Sequence, residues 1–286
     1  MIGLLPAFLA AVSSAMISVM SKKTMQKTNY YVVAWALMAL SAPFFLALLF
    51  FVEIPALGAL FWPSVLVHVV LFLFSIVVYM KALGSSDLSL ILPMLSFTPI
   101  FILILGPMVL GEFPSPIALL GIFAIVSGAY LLSVRHARHG FWGPVKSLID
   151  DKGAAMMLAV SFLWALMAMT SKLAVTNSSP VFALVATYSI TAVLSTVIFS
   201  FSGHLTKTSI KENFPSLFVI GVLSFIGNVG LYYAFTLTLA VHAIAVKRLS
   251  ILIGSIFGFV FLGEKNASQR LLGSMLMVIG VFLMAL

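Results

Sequence analysis

Two stretches of the sequence decide the fold: GPMVLGEFPSPIALLGIFAIVSGAYLLSV at Gly106–Val134 and GFVFLGEKNASQRLLGSMLMVIGVFLMAL at Gly258–Leu286. At a shift of 152 residues, 10 of the 29 positions are identical, including the Leu-Gly-Glu triplets Leu110–Glu112 and Leu262–Glu264 and two glycines seven residues apart. Unrelated apolar helices share scattered leucines, but they do not share glycines and a Gly-Glu pair in register. The two halves of the chain are therefore repeats of one another.

The composition of the chain excludes a soluble protein. Hydrophobic residues make up 63% of it and charged residues 8%, whereas a soluble domain has about 45–50% and about 25%. So few charges cannot cover a water-facing surface, and most of the surface must face lipid. The chain has no cysteine, which excludes disulfide frameworks, thiolate metal sites and cysteine nucleophiles. The basic excess of 15 Lys and Arg over 7 Asp and Glu clusters between apolar runs, as in membrane proteins, which argues against nucleic acid as a partner.

Ten apolar runs have the length of about 20 residues that a helix needs to cross the hydrocarbon core. Backbone polar groups inside lipid must be bonded within their own segment, so each run is expected to be helical. The sequence thus predicts an all-α integral membrane protein with ten transmembrane helices. These predicted helices are Leu4–Ser21, Tyr31–Val52, Trp62–Leu83, Leu88–Leu110, Pro116–Val134, Ala154–Leu173, Val181–Phe201, Pro215–Thr236, Ala240–Leu262 and Ser268–Leu286.

The longest polar stretch, residues 135–152, divides the chain almost in half. We predict one repeat over residues 1–134, with helices one to five, and a second over residues 153–286, with helices six to ten. Because each repeat has an odd number of helices, the second must enter the membrane from the opposite side. This gives two inverted five-helix repeats about an axis in the membrane plane. Such an arrangement favours a transporter with a central site between two halves that expose it to either face.

The motifs of the two halves resemble those of the drug/metabolite transporter superfamily, and most closely its EamA-like ten-helix transporters. The matching segments are Leu95–Phe101 with Leu110–Glu112, and Lys247–Leu252 with Leu262–Glu264. The resemblance covers nearly the whole chain. It implies a secondary transporter, and an exporter in particular, of a small polar metabolite such as an amino acid or a related anionic or zwitterionic compound. A sugar-phosphate or organic-anion exchanger of the same fold stays open, as does a non-transporting membrane scaffold subunit.

All seven acidic residues lie at or beyond the ends of the predicted helices. The small multidrug transporters of the same superfamily carry a buried glutamate in the first helix, whereas Ala10–Ser18 here has only small and apolar residues. We therefore do not expect efflux of cationic drugs by that mechanism. The absence of an intramembrane carboxylate pair and of a His-Glu-x-x-His motif predicts that the chain is not an enzyme and has no metal site or cofactor. The acids are Glu53, Asp87, Glu112, Asp150, Asp151, Glu212 and Glu264.

Lys247 and Arg248 are the strongest candidates for substrate binding. They lie near the centre of the ninth predicted helix, about 5 Å from the membrane midplane at a rise of 1.5 Å per residue. A cation at that depth costs on the order of 3 kcal/mol even on the lenient insertion scale. We predict that at least one of them lines a polar cavity and binds an anionic group. Snorkelling to the membrane surface is the alternative, but it works best near helix ends.

The plant-type triose-phosphate translocators, which the chain resembles here, bind phosphate with a Lys-Arg pair at this place. They add a lysine on the fourth helix, where this chain has Leu95, so the resemblance implies an anion site but not a complete phosphate clamp. Lys247 is also the candidate carrier of a coupling proton. An amine can release its proton in a low-dielectric site, whereas a guanidinium keeps its charge.

Trp164, Tyr233 and Lys81 are further candidates for substrate contact. Trp164 lies in the middle of the sixth predicted helix, where an interfacial belt does not explain an aromatic residue. Core packing is its alternative role, and interfacial anchoring is the alternative for Tyr233 and Lys81. His68, which falls within a helix, is expected to be a buried, hydrogen-bonded side chain.

The predicted partners are the lipid bilayer, a small-molecule substrate and a coupling proton or counter-substrate, and a homodimer is left open. No Gly-x4-Gly-Lys-Ser/Thr loop is present, which favours secondary transport over transport driven by ATP. The expected location is the cytoplasmic membrane of a prokaryote. The loops after odd-numbered helices carry 11 Lys and Arg. The loops on the opposite side of the membrane carry only Lys172. The positive-inside rule thus predicts both termini outside the cell, whereas the family resemblance implies that both are inside.

Overall fold

The computed structural model describes residues 4–85, 91–134, 152–262 and 271–285. Within these ranges the chain is helical apart from turns and short connections, and no strand occurs. Two short 3₁₀ helices, Leu49–Phe51 and Leu92–Phe97, accompany the α-helices. The α-helices are α1 (Leu4–Thr24), α2 (Tyr30–Ala39), α3 (Ala42–Leu48), α4 (Phe61–Ser85), α5 (Thr98–Val109), α6 (Pro116–Val134), α7 (Lys152–Thr176), α8 (Pro180–Phe201), α9 (Lys207–Leu237), α10 (Ala240–Lys247), α11 (Leu249–Leu262) and α12 (Leu271–Ala285).

Six helical segments of the described ranges are long and apolar enough to cross a membrane. They coincide with the first, second, third, sixth, seventh and eighth predicted helices. The other four predicted helices correspond to segments that are interrupted or shorter, so the count of ten stays a prediction. The six are α1, Tyr30–Phe51 (which contains α2 and α3), α4, α7, α8 and α9.

The start of α9 differs from the sequence-based expectation. The eighth predicted helix begins at Pro215, whereas α9 begins at Lys207 and includes Pro215 within it. The side chain of Thr206 caps this earlier start by accepting a hydrogen bond from the backbone N–H of Ser209. The prediction was wrong because hydropathy detects only the apolar part of a helix, and the first two turns of α9 are polar.

Helices of one half pack against helices of the other half in a reciprocal pattern. The first helix of the first half, α1, packs along α9, the third long helix of the second half. Conversely α7, which opens the second half, packs along α4. The same exchange pairs α2 with α8 and α6 with α12. The inner faces of α1, α4, α7 and α9 therefore meet at the centre of the bundle.

Glycines allow the closest of these contacts, between α6 and α12. A Cβ atom added at Gly128 would lie 2.5 Å from the carbonyl oxygen of Gly273, and one added at Gly280 would lie 2.5 Å from the carbonyl oxygen of Gly121. Both distances are far below van der Waals contact, so only glycine fits. The four glycines that the repeat places in register thus form a two-way packing contact, as their spacing predicts.

The fourth and ninth predicted helices are both interrupted within the membrane. In the first half, the 3₁₀ helix Leu92–Phe97 precedes α5, and in the second half, Arg248 separates α10 from α11. Proline accompanies the first interruption, since Pro93 lies in the 3₁₀ helix and Pro99 in the first turn of α5, but no proline lies at the second. Interrupted helices leave backbone polar groups without their usual partners, so they occur in membrane proteins where they are buried in protein or line a cavity.

Candidate anion-binding cavity

A cavity lies at the centre of the bundle, between the interrupted helices and the inner faces of α1, α4, α7 and α9. The centre of a water molecule can occupy about 130 Å³ of it. A single water needs at least about 10–15 Å³ by this measure, so the space admits several waters or a small metabolite. The polar and aromatic residues that line it are Ser14, Ser18, His68, Phe72, Tyr79, Trp164, Ser171, Tyr188, Ser224, Asn228, Tyr232, Lys247, Arg248 and Ser250.

Arg248 is the most deeply buried cation of the described chain, with only 2% of its surface exposed. Its Nη2 atom donates a hydrogen bond of 2.9 Å to the hydroxyl oxygen of Thr98, at the start of α5. Its Nε atom is buried and has no hydrogen-bond partner among the described residues. No described carboxylate lies within ion-pair distance of the guanidinium, since the ion pair of the described residues joins Lys172 and Glu112. A buried guanidinium with an unpaired donor has the charge and the hydrogen-bonding capacity to bind an anion.

Trp164 lies against both cations of the interrupted helix. Its ring centre is 5.8 Å from the Nζ atom of Lys247 and 5.6 Å from the Cζ atom of Arg248. These distances allow cation–π attraction, which grows stronger in a desolvated site. Tyr79 also packs against Trp164, with 4.9 Å between the two ring centres. Trp164 thus directs its ring face toward the two cations. Its indole Nε1 atom is buried and has no hydrogen-bond partner among the described residues.

Two serine–tyrosine hydrogen bonds flank the cavity in equivalent places. The hydroxyls of Ser18 on α1 and Tyr79 on α4 share a hydrogen bond of 2.9 Å. The hydroxyl of Ser171 on α7 donates one of 3.2 Å to Tyr232 on α9. Each serine precedes its tyrosine by 61 residues, and both pairs are related by the same shift of 153 residues. The repeat therefore extends to the polar contacts of the cavity wall.

His68 on α4 is buried and hydrogen-bonded, as the sequence predicts. Its Nδ1 atom lies 3.0 Å from the hydroxyl of Ser171, 3.2 Å from the carbonyl oxygen of Met167 and 3.3 Å from the hydroxyl of Thr170. These three neighbours all belong to α7. His68 thereby joins α4 to α7 and closes one side of the cavity.

The five residues that the sequence predicts as substrate contacts divide into two groups. Lys247, Arg248 and Trp164 line the cavity together. Tyr233 instead lies on the outer surface, 42% exposed, in a shallow apolar groove between α1 and α9. Lys81 is exposed near the end of α4 and does not line the cavity.

Tyr232, which is not among the predicted site residues, lines the cavity in place of its neighbour Tyr233. It is only 2% exposed. Consecutive residues of a helix point about 100° apart, so one of two adjacent tyrosines can face the cavity while the other faces lipid. The internal repeat could have identified Tyr232 as a cavity residue. Tyr232 matches Tyr79 at the same shift that relates Ser171 to Ser18.

No acidic side chain lines the cavity among the residues that the structure describes. Glu53 and Glu212 are exposed near helix ends, and Glu112 is engaged at one end of the bundle. The remaining acids lie outside the described ranges, namely Asp87, Asp150, Asp151 and Glu264. The described cavity wall thus combines two cations with aromatic, hydroxyl and apolar groups.

The sequence profile of the EamA-like transporter family matches residues 1–134 and residues 151–286. No curated protein matches the chain significantly. Among solved structures, one titled "Crystal structure of protein" is similar to it with a TM-score of 0.74. That chain is 13% identical, and the similarity covers 98% of this chain and 95% of the other. At this level of identity the likeness shows a shared fold and nothing about the substrate.

Proposed function

The chain belongs to the EamA-like transporter family, and we propose that it is a secondary carrier which binds the anionic group of a small metabolite at Arg248 and Lys247. Members of this family are multi-pass membrane transporters and not enzymes. The proposal adds the place of binding, the charge of the substrate and the type of transport cycle.

The observation that carries the proposal is the state of the Arg248 guanidinium. It is buried near the middle of the bundle, bonded to a neutral hydroxyl, and free of any described carboxylate. Burying an unpaired charge costs several kcal/mol. The position of Arg248 therefore favours a role in binding a ligand. An anionic substrate that enters the cavity supplies the missing counter-charge, with Lys247 beside it.

The reciprocal packing of the halves supports a cycle of alternating access. Helices α1 and α7 exchange partners in the other half, and α6 pairs with α12, as two inverted five-helix repeats over residues 1–134 and 153–286 would do. A cavity at their junction is reached from either side when one half rocks against the other. The family resemblance favours export, and amino acids or related anionic or zwitterionic compounds are the candidate cargo.

The test is binding and flux with purified protein in proteoliposomes. Small carboxylates, amino acids and phosphate esters are screened by thermal shift, since a ligand of the folded state raises the melting temperature, and each compound that binds is then tested by counterflow. We expect Arg248→Ala and Lys247→Ala to reduce binding and counterflow at least tenfold. Lys211→Ala, which removes an exposed lysine of α9, is the control and should behave as wild type.

The proposal is overturned if folded Arg248→Ala and Lys247→Ala both keep wild-type flux. Arg248→Lys serves as a second variant in case alanine at this position prevents folding. It keeps the charge but loses the planar donors, so weaker binding with intact folding is expected. The absence of flux for every compound would instead favour a scaffold subunit.

A further inference from the structure

We infer that the carried metabolite is a small organic anion without an ammonium group, a carboxylate or phosphate ester and not a zwitterionic amino acid. The inference rests on the proposed function, because it concerns the same cavity. It narrows the range of possible substrates, because the described wall has few groups that would stabilise a positive charge.

The part of the wall that the structure describes offers no carboxylate to an ammonium group. Arg248 and Lys247 face the cavity, and no described acidic side chain lines it. A zwitterion whose carboxylate bound Arg248 would hold its ammonium group a few ångströms from the same two cations. Like charges placed together in a site of low dielectric strongly disfavour binding.

The other polar groups of the described wall are neutral, and several of them are hydrogen-bonded within the protein. The hydroxyls of Ser18 and Tyr79 bond to one another, and Ser171 donates to Tyr232. The side chain of Asn228 donates through Nδ2 to the carbonyl oxygen of Ser224 at 2.8 Å. A neutral amide oxygen remains on Asn228, but it carries no charge to offset an ammonium group.

The aromatic face best placed to attract an ammonium group is also occupied. Trp164 has the strongest attraction for cations among aromatic side chains. Its ring already lies within 6 Å of both Lys247 and Arg248. A third cation would have to compete with two that are covalently held in place.

The rest of the wall fits the carbon skeleton of a small organic acid. Leu92, Leu95, Ile244 and Ile251 line the cavity close to the interrupted helices. Burial of apolar groups against them favours a substrate whose body is hydrocarbon. The volume of about 130 Å³ for water centres restricts the substrate to a small molecule.

The test compares pairs of compounds that differ by the ammonium group. The pairs are acetate and glycine, propionate and L-alanine, 4-methylpentanoate and L-leucine, 3-phenylpropionate and L-phenylalanine, succinate and L-aspartate, and ethyl phosphate and phosphoethanolamine. Affinity is measured by thermal shift on the purified full chain and by competition in counterflow. We expect at least one anion to bind, and its ammonium-bearing counterpart to bind at least tenfold more weakly.

The outcomes separate this inference from the proposed function. If an ammonium-bearing compound binds as well as its counterpart and depends on Arg248, the inference fails and the proposed function stands. If no compound of either kind binds, both fail. The ethyl phosphate pair distinguishes a phosphate ester from a carboxylate as the preferred anion.

A charge substitution at constant size gives a second test. Asn228→Asp places a carboxylate in the cavity wall, so we expect the preference for the anion over its ammonium-bearing counterpart to fall at least tenfold. Asn213→Asp is the matched control, because Asn213 lies on the same helix outside the cavity and also donates to the carbonyl four residues earlier. The inference is overturned if Asn228→Asp folds and leaves the preference unchanged.

Discussion

Glu112 and Lys172 form an ion pair that joins the two halves of the chain at one end of the bundle. The second carboxylate oxygen of Glu112 accepts the backbone N–H of Ala240, the first residue of α10, at 2.8 Å. Lys172 also donates to the carbonyl oxygen of Thr238 at 2.8 Å. The carboxylate thereby caps a helix N-terminus, where negative charge is favourable, and ties the loop after α5 to α7 and to the turn before α10.

Replacing Glu112 by glutamine should destabilise the protein. The change leaves Lys172, whose side chain is 12% exposed, without its counter-charge in a largely buried place. Loss of one partner of a buried pair costs about 3–5 kcal/mol, so we expect a clear fall in the melting temperature in detergent. Glu53→Gln, at an exposed acid, is the control and should leave the melting temperature unchanged.

A double variant separates the ion pair from general damage to the fold. In Glu112→Gln with Lys172→Met, no unpaired cation remains, so much of the lost stability should return. Equal melting temperatures for wild type and Glu112→Gln would show that the pair does not hold the halves together.

Replacing Trp164 by leucine should weaken substrate binding more than replacing it by phenylalanine. Leucine removes the ring face that lies over Lys247 and Arg248, and a desolvated cation–π contact contributes about 1–2 kcal/mol. Without the ring the two cations are held less firmly where the anion binds, so we expect the Kd of the leucine variant to rise by at most about thirtyfold. Phenylalanine keeps a six-membered aromatic ring and loses the five-membered ring with its N–H, which has no described hydrogen-bond partner, so its Kd should rise less. Equal values of Kd for the two variants would contradict a role for the ring face.

Lys247→Arg should uncouple transport from a proton gradient without abolishing it. Arginine keeps a positive charge for the substrate but does not release a proton. We expect counterflow to persist while the response of flux to an imposed pH gradient disappears. The other titratable groups of the described wall are His68, Arg248 and three tyrosines, so His68→Gln is measured beside it. A Lys247→Arg variant that keeps both its flux and its pH dependence excludes coupling through Lys247.

Gly128→Ala should destabilise the contact between α6 and α12. The added methyl group would lie 2.5 Å from the carbonyl oxygen of Gly273, a backbone atom that cannot move aside alone. Overpacking of this kind costs about 1–3 kcal/mol, which thermal unfolding in detergent can measure. Gly84→Ala is the control, since an added Cβ there meets nothing within 4 Å. No difference between the two variants would show that the α6–α12 contact adapts easily.

Much of the architecture could be predicted from the sequence, because it follows from local and additive properties. Membrane insertion depends on the apolar content of each segment, and the repeat is visible in residues such as Gly121 and Gly273. The unusual position of Lys247 and Arg248 was also visible, since a charge at mid-membrane is costly wherever its neighbours lie. The family assignment follows from the same segments.

The direction in which each side chain points was decided only by the tertiary structure. The periodicity of hydrophobic residues identifies the buried face of a helix in a soluble protein. A helix that is apolar on every side has no such periodicity. Thus the sequence did not distinguish Tyr232, in the cavity, from Tyr233, on the lipid side, or separate Lys81 from the cavity residues. Likewise the contact of Arg248 with Thr98 joins residues 150 positions apart. It exists because α5, α10 and α11 meet at their interruptions, a relation between segments that no single segment encodes.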